Sequence, residues 1–148
     1  MKTLIKTATI IAAATVALSA CSSTTTPTDV QARQDIMQDW RISSNIMKGM
    51  MDKPDIFDAK TFKEQADLIS ASSKEVWTHF ANPENKGSSQ DTVWSDAQGF
   101  KEKADEFNAA ADALVNIAQN AQSIIDVEPA LGKVLESCGS CHKTYKQK

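Results

Sequence analysis

At 148 residues the chain has enough length for one substantial apolar core and not for two. Its formal charge of −3, from 19 acidic against 16 basic residues, disfavours a nucleic-acid partner, because phosphate binding wants a basic face. Only 5 glycines occur and no stretch sustains the period-two alternation of a strand, so a sheet-based fold is excluded.

The first 20 residues read as an export signal. Lys2 and Lys6 form a charged head, and the apolar run that follows is too short and too rich in Ala and Thr to make a good membrane span. Leu18-Ser19-Ala20-Cys21 resembles the bacterial lipoprotein box, in which the cysteine becomes the lipid-modified first residue. The alternative is an ordinary signal peptide with Cys21 incidental. Residues 21–28, "CSSTTTPT", are polar and without apolar periodicity, which suits a lipid-anchored flexible tether. Ser22, by analogy with lipoproteins forwarded outward, points to an outer membrane. Losing Lys2 and Lys6 moves the charge of the mature protein from −3 to −5.

Residues 29–148 read as one domain of four amphipathic helices. The first spans about Asp29 to Met51, with Val30, Arg33, Met37, Trp40, Ser44, Met47 and Met51 along one stripe and Pro54 ending it. The second is capped by Asp58 and carries Phe62, Ala66, Ile69, Ser73, Val76 and Phe80 on one face. "NPENKGSSQD" then breaks the pattern and is long enough to be a mobile loop. The third starts near Asp91 or Ser95 and runs to about Asn120, with Phe100, Ala104, Phe107, Ala111, Leu114 and Ala118 inward. The fourth opens at Asp126, with Glu128 beside the helix dipole and Pro129 in the first turn, and carries Leu131, Leu135, Cys138, His142 and Tyr145. Such lengths and short connections predict an all-α, antiparallel four-helix bundle.

Cys138-Gly139-Ser140-Cys141-His142 matches C-x-x-C-H, the attachment signature of a c-type haem. Two thiols three positions apart share a helix face and can form thioethers along one haem edge, while the adjacent imidazole reaches the iron. A dithiol redox motif would more typically open a helix after a strand, where the nucleophile's pKa is lowered, and this one sits in the last turns of a helical chain. A zinc site needs four ligands, and the other histidine, His79, has no cysteine beside it. Two buried structural cysteines are the remaining alternative. His79 reads as a surface or loop-proximal side chain, and Trp40, Trp77, Phe80 and Trp94 as core residues that could flank a haem.

With the motif at the C-terminal end of a bundle, the chain resembles the class II c-type cytochromes, the cytochrome c′ family, from about Val30 to Lys148. Besides "CGSCHKTYK", the stretches "ARQDIM" and "VWSDAQGFKEKADEF" carry the likeness. The resemblance implies one covalently bound haem c, with Cys138 and Cys141 as its thioethers and His142 as proximal axial ligand. It places Met37, four residues after the Arg of the Arg33-Gln34 pair, on the distal side, Arg33 near a propionate, and Lys146 near the proximal ligand. Tyr145 reads as core packing with its hydroxyl at the rim.

Met37 as a thioether ligand would make a six-coordinate iron suited to electron exchange. As an unligated lid it would leave the iron open to nitric oxide or carbon monoxide, and as plain core it would be one more residue of a Met-rich helix. The resulting expectation is a monohaem cytochrome that carries single electrons in the bacterial periplasm between redox partner proteins, held to a membrane through its lipid alone. The alternative is a five-coordinate binder of small gases. No substrate-transforming constellation is present, so no enzyme is expected. Lookalikes commonly form homodimers through their first two helices.

Overall fold

The computed structural model describes residues 26–148, and the export signal, Cys21 and most of the tether lie outside the described residues. The fold is an antiparallel four-helix bundle built from α1 (Thr28–Asp52), α2 (Ala59–Ser72), α3 (Thr92–Ser95), α4 (Ala97–Ala118) and α5 (Ile124–Tyr145). α3 is a single short turn, so the bundle proper is α1, α2, α4 and α5. Among the described residues there is no strand, only one antiparallel bridge between Ser89 and Lys146, and no helix is long and apolar enough to cross a membrane.

Three helix boundaries differ from the sequence expectation. The second helix ends at Ser72 instead of running to Phe80, and residues Val76–Phe80 continue as a tighter 3-10 helix. The serine cluster explains the break: the Ser72 and Ser73 hydroxyls donate to the carbonyls of Leu68 and Ser70, competing with the α-helical ladder. The third helix has both of its expected starts, because Asp96 leaves helical geometry between α3 and α4. There its carboxylate caps α4 by accepting from the Gly99 amide. The fourth opens earlier than Asp126. Ser123 is the N-cap and Asp126 closes a capping box with it, so Pro129 stands inside α5 and not in its first turn.

The core lies where α1, α2, α4 and α5 meet. Met47, Phe62, Leu114, Leu131 and Val134 are wholly buried there, and Ala104, Ala111 and Ala118 let α4 approach its neighbours closely. Of the stripe expected on α1, Val30, Arg33, Trp40 and Met47 are buried, but Ser43 and Met50 take the inward places expected of Ser44 and Met51.

The loop after Phe80 is pinned, contrary to the mobility expected of it. Arg33 donates from Nη1 to the His79 carbonyl (2.8 Å) and from Nη2 to the carbonyls of Asn85 (2.7 Å) and Lys86 (2.6 Å). The Gln90 amide donates to the Tyr145 carbonyl and the Gln147 amide to the Ser88 carbonyl, each at 2.9 Å, which fastens the loop to the end of α5. Gly87 suits this path: its φ of 54° lies in the left-handed region, and a Cβ there would come within 2.8 Å of Val30 Cγ1.

Candidate functional site: a groove between α1, α4 and α5

A groove of about 820 Å³ opens between α1, the 3-10 segment, α4 and the last turns of α5. Its floor is apolar and aromatic, with Trp40, Trp77, Phe80, Phe100, Phe107 and Leu135 on it. The rings hold one another: Trp40 stacks on Phe107 at 4.5 Å between centroids, and Trp77 meets Phe107 and Phe100 edge-on at 5.9 and 6.0 Å. The indole donors are satisfied away from the opening, Trp40 Nε1 by Ser72 Oγ at 2.8 Å and Trp77 Nε1 by Asn108 Oδ1 at 2.9 Å.

α5 supplies the chemistry. Leu135, Cys138, His142 and Tyr145 are spaced by three and four, so they share one face, and all four line the groove together with Cys141. The core-facing side of the same helix carries Val127, Leu131 and Val134.

The thiols are free and half-buried. Burial pushes Cys138 up, and burial with the neighbouring Cys138 pushes Cys141 up to about 11. This runs opposite to a dithiol oxidoreductase, whose attacking thiol is lowered by a helix N-terminus. Desolvation, with the Lys146 charge after it, lowers the pKa of His142 and so favours the neutral imidazole a metal would need. Among the described residues no group of three or more His, Cys, Asp or Glu is placed to hold a metal ion by itself.

From α1, Met37 lines the groove and is half-buried, whereas Met47 and Met50 belong to the core. Arg33 lines it too, only 4% exposed, with its guanidinium 4.6 Å from the Phe80 ring centroid. Its three bonds to the carbonyls of His79, Asn85 and Lys86 leave two N–H donors, Nε–H and one on Nη1. Lys146 lines the groove from just beyond α5, its amide donating to the His142 carbonyl at 3.2 Å. Tyr145 is buried, and its hydroxyl donates to Asp96 Oδ2 at 2.7 Å.

Two residues singled out in the sequence stand apart from the groove. Trp94 donates to the Phe80 carbonyl at 2.8 Å and does not line it. The His79 imidazole faces Asp29 at 3.2 Å, helping to fasten the start of α1. Conversely, Phe100 and Leu135, assigned to the core by their spacing, belong to the groove floor, and Arg41 and Lys48, which no sequence motif marks, line it as well.

The size, the aromatic floor, the paired thiols and the single imidazole suit a flat, covalently tethered macrocycle, and the volume falls in the range of about 300–1,000 Å³ usual for cofactor sites.

Comparison with known proteins agrees. A family model described as cytochrome C′ matches residues 28–146. The chain is 38% identical over 95 residues to the cytochrome c′ of Rubrivivax gelatinosus, covering 62% of this chain and 73% of that one. A crystal structure of cytochrome c′ from that organism superposes with a TM-score of 0.74 at 31% identity, covering 80% and 94% of the two chains. A cytochrome c-556 of Agrobacterium tumefaciens (strain B2A) is 31% identical over 105 residues, covering 70% of this chain and 80% of that one. The nitric oxide complex of a variant cytochrome c prime from Alcaligenes xylosoxidans gives a TM-score of 0.71 at 27% identity, with 81% and 94% covered.

Proposed function

This chain belongs to the cytochrome c′ family, and we propose that within it the protein carries single electrons, its haem iron bound by His142 and Met37. The cofactor of the family is one covalently attached haem c, which makes the protein a monohaem c-type cytochrome. Bound in the groove, haem c supplies one-electron exchange between ferric and ferrous iron. The chain's own residues do the rest. Cys138 and Cys141 fasten the macrocycle edge to α5, and His142 offers its imidazole from the same face. The aromatic floor would exclude water, and Arg33, which keeps two unused N–H donors and lines the groove, would meet a propionate. Lys146 sets a positive charge beside the proximal ligand.

One observation carries the electron-carrier reading: Met37 is the only described methionine on the groove wall, and a thioether there has the imidazole of His142 on the same groove. A His/Met pair raises the reduction potential and favours electron exchange. The second reading, an open iron that binds nitric oxide or carbon monoxide with Met37 as an apolar lid, is favoured by the nitric oxide complex of the Alcaligenes xylosoxidans relative. Optical and electron paramagnetic resonance spectra of the mature haem-loaded protein and of Met37→Ala separate the two. A low-spin spectrum with a sulfur-to-iron charge-transfer band, lost in Met37→Ala, is the expected result. A high-spin spectrum that the substitution leaves alone would establish the gas-binding reading instead.

The family works in the periplasm. Anchoring through a lipid on Cys21, with the outer membrane as destination, belongs to the same proposal and rests on the sequence before Thr26. A homodimer through α1 and α2 is supported by Ile42 and Leu68, both exposed beside a second groove between those helices.

A further inference from the structure

The groove wall carries a charge pattern that holding a cofactor does not account for. Arg33, Arg41, Lys48 and Lys146 line it, and no Asp or Glu does. The chain as a whole has 19 acidic residues against 16 basic ones, so the segregation is not a product of composition.

Elsewhere most of the described lysines are compensated, with Lys53, Lys143 and Lys148 the exceptions. Lys60 meets Glu64, Lys63 meets Asp67, Lys86 meets Asp91, and Lys101 meets Asp105. Arg41, Lys48 and Lys146 are exposed and, among the described residues, form no ion pair; Arg41 donates to the neutral amide oxygen of Gln38 at 2.9 Å.

The pattern is written into α1. Residues three and four apart share a helix face, and the groove-side stripe reads Gln34, Gln38, Arg41, Asn45, Lys48, neutral or basic over about four turns. None of the four carboxylates of the same helix lines this groove: Asp29 is held by His79 and Asn85, Asp35 accepts from Gln31, Asp39 lines the groove between α1 and α2, and Asp52 is the last residue of the helix. Glu106, whose charge reaches Cys141, is paired with Lys103. Arg33 is buried and engaged with loop carbonyls, so the three exposed cations are what an approaching surface meets.

Resting on the electron-carrier reading, we infer that this rim is the docking face for an acidic redox partner protein, whose clustered Asp and Glu side chains meet Arg41, Lys48 and Lys146 at the groove mouth. Electrons enter and leave where the haem edge is reachable, and a rim of one sign raises encounter rates by about 10- to 1,000-fold at low salt while turning away partners of like charge. A membrane surface pressed on the same rim would close the opening that an electron partner has to approach.

The test uses the haem-loaded mature protein. Its reduced form is mixed by stopped flow with hexacyanoferrate(III), a small anionic oxidant, and with tris(phenanthroline)cobalt(III), a cationic one. Ionic strength is varied between about 0.01 M and 1 M, where the screening length shrinks from about 30 Å to about 3 Å. The rim predicts that oxidation by hexacyanoferrate slows by about tenfold as salt rises, although the net charge of the protein repels that anion. Poly-L-glutamate should bind the protein in a calorimeter at low salt and slow the reaction. Arg41→Glu with Lys48→Glu should abolish both effects, while the charge-matched control Lys60→Glu with Lys133→Glu should keep them. A hexacyanoferrate rate that rises with salt, or absence of poly-L-glutamate binding, overturns the proposal. So does binding to anionic phospholipid vesicles without binding to poly-L-glutamate. The magnetic resonance spectrum reports separately on Met37: a high-spin iron with the salt effect intact fails the carrier reading alone, and a low-spin iron with the wrong salt sign fails the rim alone.

Discussion

Replacing Arg33 by Ala should cost the domain about 3–4 kcal/mol, and the value can be worked from its contacts. The guanidinium makes three hydrogen bonds of 2.6 to 2.8 Å to the carbonyls of His79, Asn85 and Lys86. Bonds from a charged donor run at about 1.5–3 kcal/mol each. The residues bearing these carbonyls are only half-buried, so once the loop loosens water replaces part of each bond, and about 1 kcal/mol per bond is the fitting figure. The contact with the Phe80 ring adds about 0.5 kcal/mol. For a domain of this size about 3–4 °C is lost per kcal/mol, so the melting midpoint of the haem-loaded protein, followed by circular dichroism, should fall by about 10 °C. Arg33→Lys keeps the charge but offers one compact ammonium to carbonyls spread over the loop, so it should recover only a minor part. A midpoint within about 2 °C of the parent in Arg33→Ala, or full recovery in Arg33→Lys, would refute the idea that this fork holds the loop.

The same latch predicts that Gly87→Ala loses about 2–3 kcal/mol in a denaturant titration, from left-handed strain plus the approach of its Cβ to Val30 Cγ1 (2.8 Å) and Arg33 Nη2 (3.1 Å); an unchanged midpoint would show that the loop bends freely. Bonds from His79 and then Asn85 hold the Asp29 carboxyl below its ordinary value, so its contribution is present above the unfolded pKa of about 4 and lost as pH falls through the folded value. The stability gap between parent and Asp29→Asn, measured at mildly acidic and then at strongly acidic pH, should therefore close. Tyr145 is pushed up to about 12, by its bond to the Asp96 carboxylate first and by desolvation next, so its contribution is complete below about pH 10 and disappears as pH rises through 12. It is the single tyrosine of the chain, and its phenolate absorbance should titrate near 12 in the parent and markedly lower in Asp96→Asn. A parent midpoint near the ordinary tyrosine value would remove the bond from the picture.

The parts of the fold legible in the sequence are those whose causes are local. Asp58 before α2 is a cap whose partner, the Thr61 amide, lies three residues on, and the four-helix count follows from such signals and from apolar spacing. The spacing within C-x-x-C-H places both thiols and His142 along one helix side wherever the helix happens to lie, which is why the groove wall on α5 could be named in advance. The breaks at Ser73 and Asp96 were hidden for the opposite reason. At each, a short polar side chain takes a backbone partner from the helix, and no apolar period records that choice.

Arg33 shows where reading from periodicity stops. Its place on the inward stripe of α1 was visible, and the family likeness suggested an anion for it, yet three of its five donors go to backbone carbonyls 46 to 53 residues away, two of them in a loop whose composition reads as free. Burying a cation is costly unless its donors are met, and here the bundle meets them by bringing the loop to the arginine. The order of cause therefore runs from the site to the loop. The loop then closes one end of the groove through Ser88 and Ser89, and its bonds to Tyr145 and Gln147 hold the helix end that carries His142. One residue on α1 thus helps fix the frame of an imidazole on α5, so Arg33→Ala should disturb the His142 side of the groove as well as the loop.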